Sequence, residues 1–448
     1  MLKAIGISMF ILMNSIMAVS FAQIPEPAVP AAKTINRAMW EWKSIEPILK
    51  EDKRKELFDF CEKYKINELF AQMHYSLSGG ASDVICELSY KDQLRSFLKD
   101  AHSRNIKIHA LDGEPTLILR PNHPKLLAQV KAVLEFNAQG KPEERYDGMH
   151  LDNEPYLLVG YNGPFRKEIL IEFLEANKKC MDLVRASGQN VVFGVDVPFW
   201  FLEKGGDLDV EFGGADKPVG EHIIDITDNI GVMDYRNIAE GNDGIIAHGM
   251  DEVEYATKVG KKVYIGVETF RPEPERTIFI YGHPEFEFDK RLGSVGGQFA
   301  KQFMHNGFRV RKLSDGKNVH IGLLVPPDPE RQAKAEETLM DIGRIFGKDF
   351  YVPDKKAINE AIFDAEWAVS KEGAYENFKI KTIPSGRSNR VYVRFEADLI
   401  ASPRITFAGM TKTALERELA KTAEAFKGYS GFYGFAIHYY EPYKAMKE

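Results

Sequence analysis

The sequence predicts an α/β protein, a (β/α)8 barrel of the TIM type with a long α+β insertion between strands seven and eight. Three observations carry this expectation. Short apolar runs alternate with longer segments of helical period from Arg37 onward. The runs count to eight. Carboxylates gather at the C-terminal ends of those runs, where barrels of this class carry their functional side chains.

Ahead of the barrel, Lys3 precedes an uncharged apolar stretch from Ala4 to Phe21, and Ser20-Phe21-Ala22 offers small residues at the two positions a signal peptidase reads. Residues 1–22 are expected to be a signal peptide cleaved after Ala22, giving a secreted or periplasmic protein with no membrane contact after cleavage. Residues 23–36 follow as a stiff Pro-rich leader, since Pro25, Pro27 and Pro30 discourage helix.

The barrel expectation for residues 37–270 is built strand by strand. Ala38–Trp42 reads as strand one, followed by a helix around Leu57, Phe58 and Cys61. Glu68–Tyr75 is strand two; Leu94, Phe97, Leu98 and Ala101 then fall at i, i+3, i+4 and i+7, one buried helical face. Ile106–Asp112 is strand three, and Lys125–Phe136 carries Leu127, Val130 and Leu134 on a helical stripe. Tyr146–Glu154 is strand four, before a long helix from Phe165 to Ala186 that Gly188 stops. Val191–Val197, Ile230–Tyr235 and Lys262–Glu268 are strands five, six and seven, with a helix near Val253 and Ala256 closed by Gly260. In residues 402–448, a helix from Lys412 to Lys427 leads into Phe432–His438, strand eight. The stretch between, residues 271–401, is too long for a bare loop. Its run Val319–Val325, its helical Pro329–Phe346 and its alternating Arg390–Phe395 predict an inserted α+β subdomain.

Composition excludes several classes of function. Of 448 residues, 44% are hydrophobic and 28% charged, which rules out a disordered or polytopic membrane chain. With 59 basic against 66 acidic residues the net charge is -7, so there is no basic field to hold nucleic acid. Cys61, Cys86 and Cys180 lie far apart with no CxxC or Cys/His spacing, which predicts neither a disulfide framework nor a zinc module.

The strand ends are where polar residues need explaining. Strand three ends in Asp112-Gly113-Glu114, strand four in His150-Leu151-Asp152-Asn153-Glu154, and strand five carries Asp196. Strand six ends in Asp234-Tyr235-Arg236 and strand seven in Glu268-Thr269. Carboxylates facing a barrel mouth repel one another and lose hydration, a cost that a site repays. Side chains alternate along a strand, so His150, Asp152 and Glu154 are expected to face inward. Their crowding raises the pKa of one acid, as a general acid near neutral pH requires. Glu268 then faces them across the mouth, an acid on one wall and a carboxylate on the other, the geometry for cutting a glycosidic bond.

The run Asp147-Gly148-Met149-His150-Leu151-Asp152-Asn153-Glu154 resembles the DGxDxDxE strand-four motif of the family 18 chitinase-like glycosidases, and Met233-Asp234-Tyr235 resembles their strand-six MxY. That resemblance implies Glu154 as proton donor, Asp152 orienting a substrate acetamido group, and Tyr235 steadying an oxazolinium intermediate. His150 stands where the family has its middle Asp, and Pro155 where it has an aromatic residue. Asn153-Glu154-Pro155 also resembles the Asn-Glu-Pro end of strand four in the retaining barrel glycosidases of clan A, with Glu268 at their strand-seven nucleophile. This second resemblance implies Glu154 as acid/base, Glu268 as nucleophile, Asn153 as donor to a sugar hydroxyl and Tyr235 as partner of the nucleophile.

Trp40, Trp42 and Trp200 offer flat faces for stacking on sugar rings or for core packing. His74, His109, His150 and His438 lie at or near strand ends, where histidines and carboxylates together also suit a divalent metal. Strand one lacks the His-x-His pair expected of metal-dependent barrel amidohydrolases, so substrate-binding or core histidines are expected, with no metal and no cofactor. The expectation is an exported glycoside hydrolase acting on a carbohydrate. A non-catalytic carbohydrate-binding barrel and a metal-dependent barrel hydrolase are the competing readings.

Overall fold

The computed structural model describes residues 35–448 apart from 82, 163–164, 204, 283–303, 306–307, 315–318, 327, 346–354, 361, 364–374 and 385–390. The expected signal peptide and leader up to residue 34 lie outside the described residues.

Eight strands close a parallel barrel: Asn36–Glu41, Glu68–Gln72, Lys107–Asp112, Gly148–Leu151, Val192–Pro198, Asn229–Met233, Lys262–Glu268 and Phe432–His438, hereafter strands one to eight. Each pairs with its neighbours in sequence order, and strand eight closes the ring against strand one through Met39 opposite Ile437. The chain thus returns to the barrel more than 150 residues after strand seven, at the residues the sequence predicts for strand eight.

The two faces of the strands do different work. Outward-facing Leu69, Ile108, Met149, Leu151, Val195, Ile230, Val232, Val263, Ile265 and Ile437 join the apolar stripes of the helices in one large core. The helix Lys91–Ser103 buries the Leu94, Phe97, Leu98 and Ala101 face that its spacing predicts. Inward, a separate cluster of Ala38, Trp40, Phe70, Leu111, Tyr264 and Ala436 fills the barrel. Glycines on strands four to seven make room for these inner rings. A methyl at Gly231 would lie 2.1 Å from Asp196 Oδ1, and one at Gly266 3.3 Å from the Trp40 ring. At Gly148 it would lie 2.2 Å from His109 Nδ1 and 2.7 Å from the Val192 carbonyl oxygen. Backbone cannot yield there as a flexible side chain would, so Gly148→Ala is expected to destabilise the protein by about 1–3 kcal/mol, read as a lower urea midpoint at unchanged slope.

The structure departs from the sequence reading in four places. Strand two stops at Gln72, and the chain turns into a hairpin of Tyr75–Ser78 with Ile85–Leu88. Strand four pairs only over Gly148–Leu151 and strand six only to Met233, which frees the acid-bearing residues beyond them from the ladder. A helix, Val219–Ile226, to which the sequence reading assigned no element, stands between strands five and six. A second hairpin, Asp209–Phe212 with Ala215–Pro218, precedes that helix. After strand eight only a short helix, Tyr440–Ala445, remains.

Between strands seven and eight lies a six-stranded antiparallel sheet. Its spatial order is Met304–His305, Phe308–Ser314, Val319–Val325, Glu275–Gly282, Val391–Leu399 and Tyr375–Pro384. The helix Pro329–Ile345 packs against its middle strands. Ile278, Ile280, Leu323, Leu339, Ile342 and Phe395 are among its buried residues.

Candidate active site

At the C-terminal mouth, residues from strands four to eight converge on the phenol of Tyr235. Burial pushes its pKa well up, and the charges of Glu268, Asp152, Asp196 and Glu154 add to that push. Four carboxyl groups from three strands, or the turns just after them, are therefore all within electrostatic reach of one hydroxyl.

Strand seven supplies the most fully hydrogen-bonded acid. Glu268 is 8% exposed. Its Oε1 accepts from the backbone N–H groups of Thr269 and Phe270, both at 2.7 Å, and its Oε2 lies 2.7 Å from His438 Nδ1. The other imidazole nitrogen, Nε2, lies 3.0 Å from Trp42 Nε1. An indole N–H can only donate, so His438 Nε2 accepts and the ring proton sits on Nδ1, directed at Glu268. The Tyr235 ring stacks on the same imidazole at 5.9 Å. Sequence spacing could not show this relay, which joins residues 42, 268 and 438.

Strands four and five supply the second wall. His150 is fully buried, stacked face to face on Phe70 at 3.9 Å, with its Nε2 2.7 Å from Asp196 Oδ1. Burial, with the neighbouring His109, holds the His150 pKa well below the usual histidine range, so the ring is neutral. Asp196 Oδ2 accepts from Trp40 Nε1 at 2.8 Å. Burial raises the Asp196 pKa strongly; it raises that of Asp152 as well, and there the nearby Asp196 charge adds to it. Each carboxylate therefore opposes the ionisation of the other. Asp152 Oδ1 is buried without a hydrogen-bond partner among the described residues. The edge of the Trp42 ring and the Asp152 Cβ both crowd the hydrogen of Gly113. Glu154 is half-buried at the end of this wall.

Several residues expected at the mouth stand elsewhere. Asp112 points to the helix layer, where its Oδ2 accepts from Tyr75 OH at 3.0 Å. Glu114 is exposed and caps the Thr116 N–H. Asn153 is fully buried, and its amide donates to the Glu114 carbonyl at 2.7 Å. His74 sits beside Ser44 Oγ at 2.9 Å. Arg236 reaches Asp243 and the Tyr235 carbonyl rather than the strand-four acids. Trp200 lies among Tyr156 and Phe199 on the turn after strand five. Trp40 is 1% exposed, so its role is the hydrogen bond to Asp196 and not stacking on a ligand. Asp147, the first residue of the strand-four motif, is structural; its Oδ2 accepts from the Ile108 N–H and from His102.

Asp234 is the clearest correction. Strand alternation turns Met233 and Tyr235 inward and sends Asp234 out, beside Gly249, Ile265 and Phe426. There it neighbours Glu252 of the helix Ile245–Val259, both fully buried, and none of their four carboxyl oxygens has a hydrogen-bond partner among the described residues. Burial raises both pKa values well above the usual carboxylate range. A raised folded pKa means the fold is favoured while the acids are protonated, and that advantage is lost as pH climbs from about 4 through the folded value. Glu252→Gln removes the penalty, so it is expected to stabilise by about 1–3 kcal/mol at neutral pH and by nothing near pH 4, measured as a Tm difference that grows with pH.

No protein-family model matches the chain. No curated protein matches it either. Among solved structures, it is similar to a chitinase from Bacteroides thetaiotaomicron, at 14% identity and a TM-score of 0.33, covering 64% of this chain and 81% of that one. It is also similar to a glycoside hydrolase family 18 N-acetylglucosaminidase from Paenibacillus barengoltzii, at 12% identity, TM-score 0.33, covering 70% and 93%. The spore cortex-lytic enzyme of Bacillus megaterium is similar at 11% identity, TM-score 0.33, covering 72% and 71%.

Among the described residues, no group of three or more His, Cys, Asp or Glu side chains is arranged to hold a metal ion. Two mouth residues escaped the sequence reading. Phe70 forms the platform beneath His150, and Tyr439, directly after strand eight, lies with its ring 4.9 Å from that of His438. Period-two alternation from Glu68 would have turned Phe70 inward; Tyr439 carried no such signal.

Proposed function

We propose that the protein is an exported glycoside hydrolase that cleaves a glycan with retention. Glu154 serves as general acid/base and Glu268 as nucleophile. The observation that carries this reading is the gathering of Glu154, Asp152, Asp196 and Glu268 around one phenol, Tyr235, at the mouth of a parallel barrel.

Each assigned role has a physical basis. A carboxylate has about four acceptor directions, and three of those on Glu268 are taken by fixed N–H donors, which orients the fourth toward a reacting carbon. The Tyr235 hydroxyl, kept protonated, donates to the charge that builds at the sugar or at Glu268. Glu154, half-buried on the opposite wall, protonates the departing oxygen and later takes a proton from water. The leader at residues 1–22 supports the placement outside the cytoplasm. A screen for new reducing ends over a panel of polysaccharides tests the reading. Release from at least one member, with product of unchanged anomeric configuration, is the expected result. Binding without release from any member points to a carbohydrate-binding barrel.

A further inference from the structure

The N-terminal end of the barrel, opposite the mouth, holds a cavity of about 300 Å³. Its lining includes Glu68, Lys107, His109, Arg185, Asn229 and Lys262. Barrels of this kind carry chemistry at the other end, so a polar cavity here calls for its own account.

Two of its buried side chains carry unsatisfied atoms. His109 is 1% exposed and Asn229 4%. Neither ring nitrogen of His109, nor Asn229 Oδ1, has a hydrogen-bond partner among the described residues. The nearest acceptor to His109 Nε2 is a Glu68 oxygen at 3.4 Å. Orphaned polar atoms at this depth each cost about 1–3 kcal/mol unless something fills the space.

The charges around the cavity do not balance. Lys107 pairs with Glu68 at 3.3 Å, and Arg185 pairs with Asp228. Glu68 is further met by the Tyr264 hydroxyl. Burial pushes the Glu68 carboxyl up, but His109, Tyr264 and Lys107 together outweigh it and hold it near 2. Lys262 has no carboxylate among the described residues; its ammonium reaches only the Ser430 carbonyl at 3.0 Å and the Tyr433 ring at 6.0 Å. One positive charge is left over.

A ligand that completes this cavity needs one negative charge for Lys262, a hydrogen-bond partner for His109 Nδ1, and a donor for Asn229 Oδ1. We propose that the cavity binds a small oxyanion that also carries a hydroxyl group, which is the shared chemistry of inorganic phosphate and of an α-hydroxycarboxylate. The mouth of the barrel takes no part in this site, so its occupancy stands apart from glycan cleavage.

The test is thermal unfolding of the whole protein in phosphate, lactate, acetate and chloride at matched ionic strength and pH. A saturable rise in Tm of about 1–3 °C is expected with phosphate, lactate or both, well above that in acetate or chloride. Whichever of the two acts identifies the source. Lys262→Met, at the cavity rim, should abolish the rise. His109→Phe, which keeps the ring volume, should do the same; if that variant does not fold, Lys262→Met decides alone. The proposal is overturned if phosphate and lactate do no more than chloride, if acetate equals them, or if Lys262→Met keeps the full rise.

Discussion

Glu154→Gln is expected to slow glycan hydrolysis by about 10²–10⁴-fold, the usual worth of a positioned general acid/base, with little effect on ligand binding. The substitution keeps the shape of the side chain and its half-buried place beside Tyr235, so the loss reports proton transfer rather than misfolding. The defect should shrink on substrates whose leaving group departs without a proton, such as an aryl glycoside with an acidic phenol. Retained wild-type cleavage in this variant would remove Glu154 from the chemistry. Unchanged binding with no cleavage even in the wild type would make the protein a binding module.

Glu268→Ala should cost more, on the order of 10⁴-fold, because a covalent route loses its nucleophile altogether. The variant leaves three N–H donors, from Thr269, Phe270 and His438, aimed at the space the carboxylate filled. A small anion fits that description. Added azide is expected to restore turnover by attacking the anomeric carbon as the leaving-group oxygen takes the Glu154 proton. The product would be a glycosyl azide of inverted configuration. If azide does nothing and Asp152→Asn carries the larger loss, the substrate supplies its own nucleophile and Asp152 orients it. The two routes thus predict different responses to azide and different losses in the two variants.

The barrel was legible because its signal is local. Each strand is a run of apolar residues, each helix a stripe, and the recovery of strand eight rested on the helix Lys412–Phe426 running directly into Phe432. The inward turn of His150 was also readable, since alternation along strand four sets it on the face opposite Met149 and Leu151. The same alternation, applied to strands three and six, would have sent Asp112 and Asp234 outward; treating every strand-end acid alike brought them to the mouth wrongly. The hydrogen bonds that shape the site could not be read at all. Trp40 meets Asp196 across 156 positions and Trp42 meets His438 across 396, contacts that exist only once the ring has closed. Asn153 shows the limit of motif reading, for its side chain is fully buried and donates to the Glu114 carbonyl next door.

The disposition of the tryptophans has an optical consequence. Of the four in the chain, Trp40 and Trp42 stand at the mouth and Trp200 on the adjoining turn. Trp40 is sealed from water and hydrogen-bonded to Asp196, whereas Trp42 is half-buried and bonded to His438. Emission from Trp40 and Trp42 is therefore expected to carry a blue component from the sealed ring beside Asp196 and a redder one from the half-buried ring beside His438. Unlabelled protein in a stopped-flow fluorimeter can follow occupancy and proton movement at the same few residues, in real time and before any product has been identified.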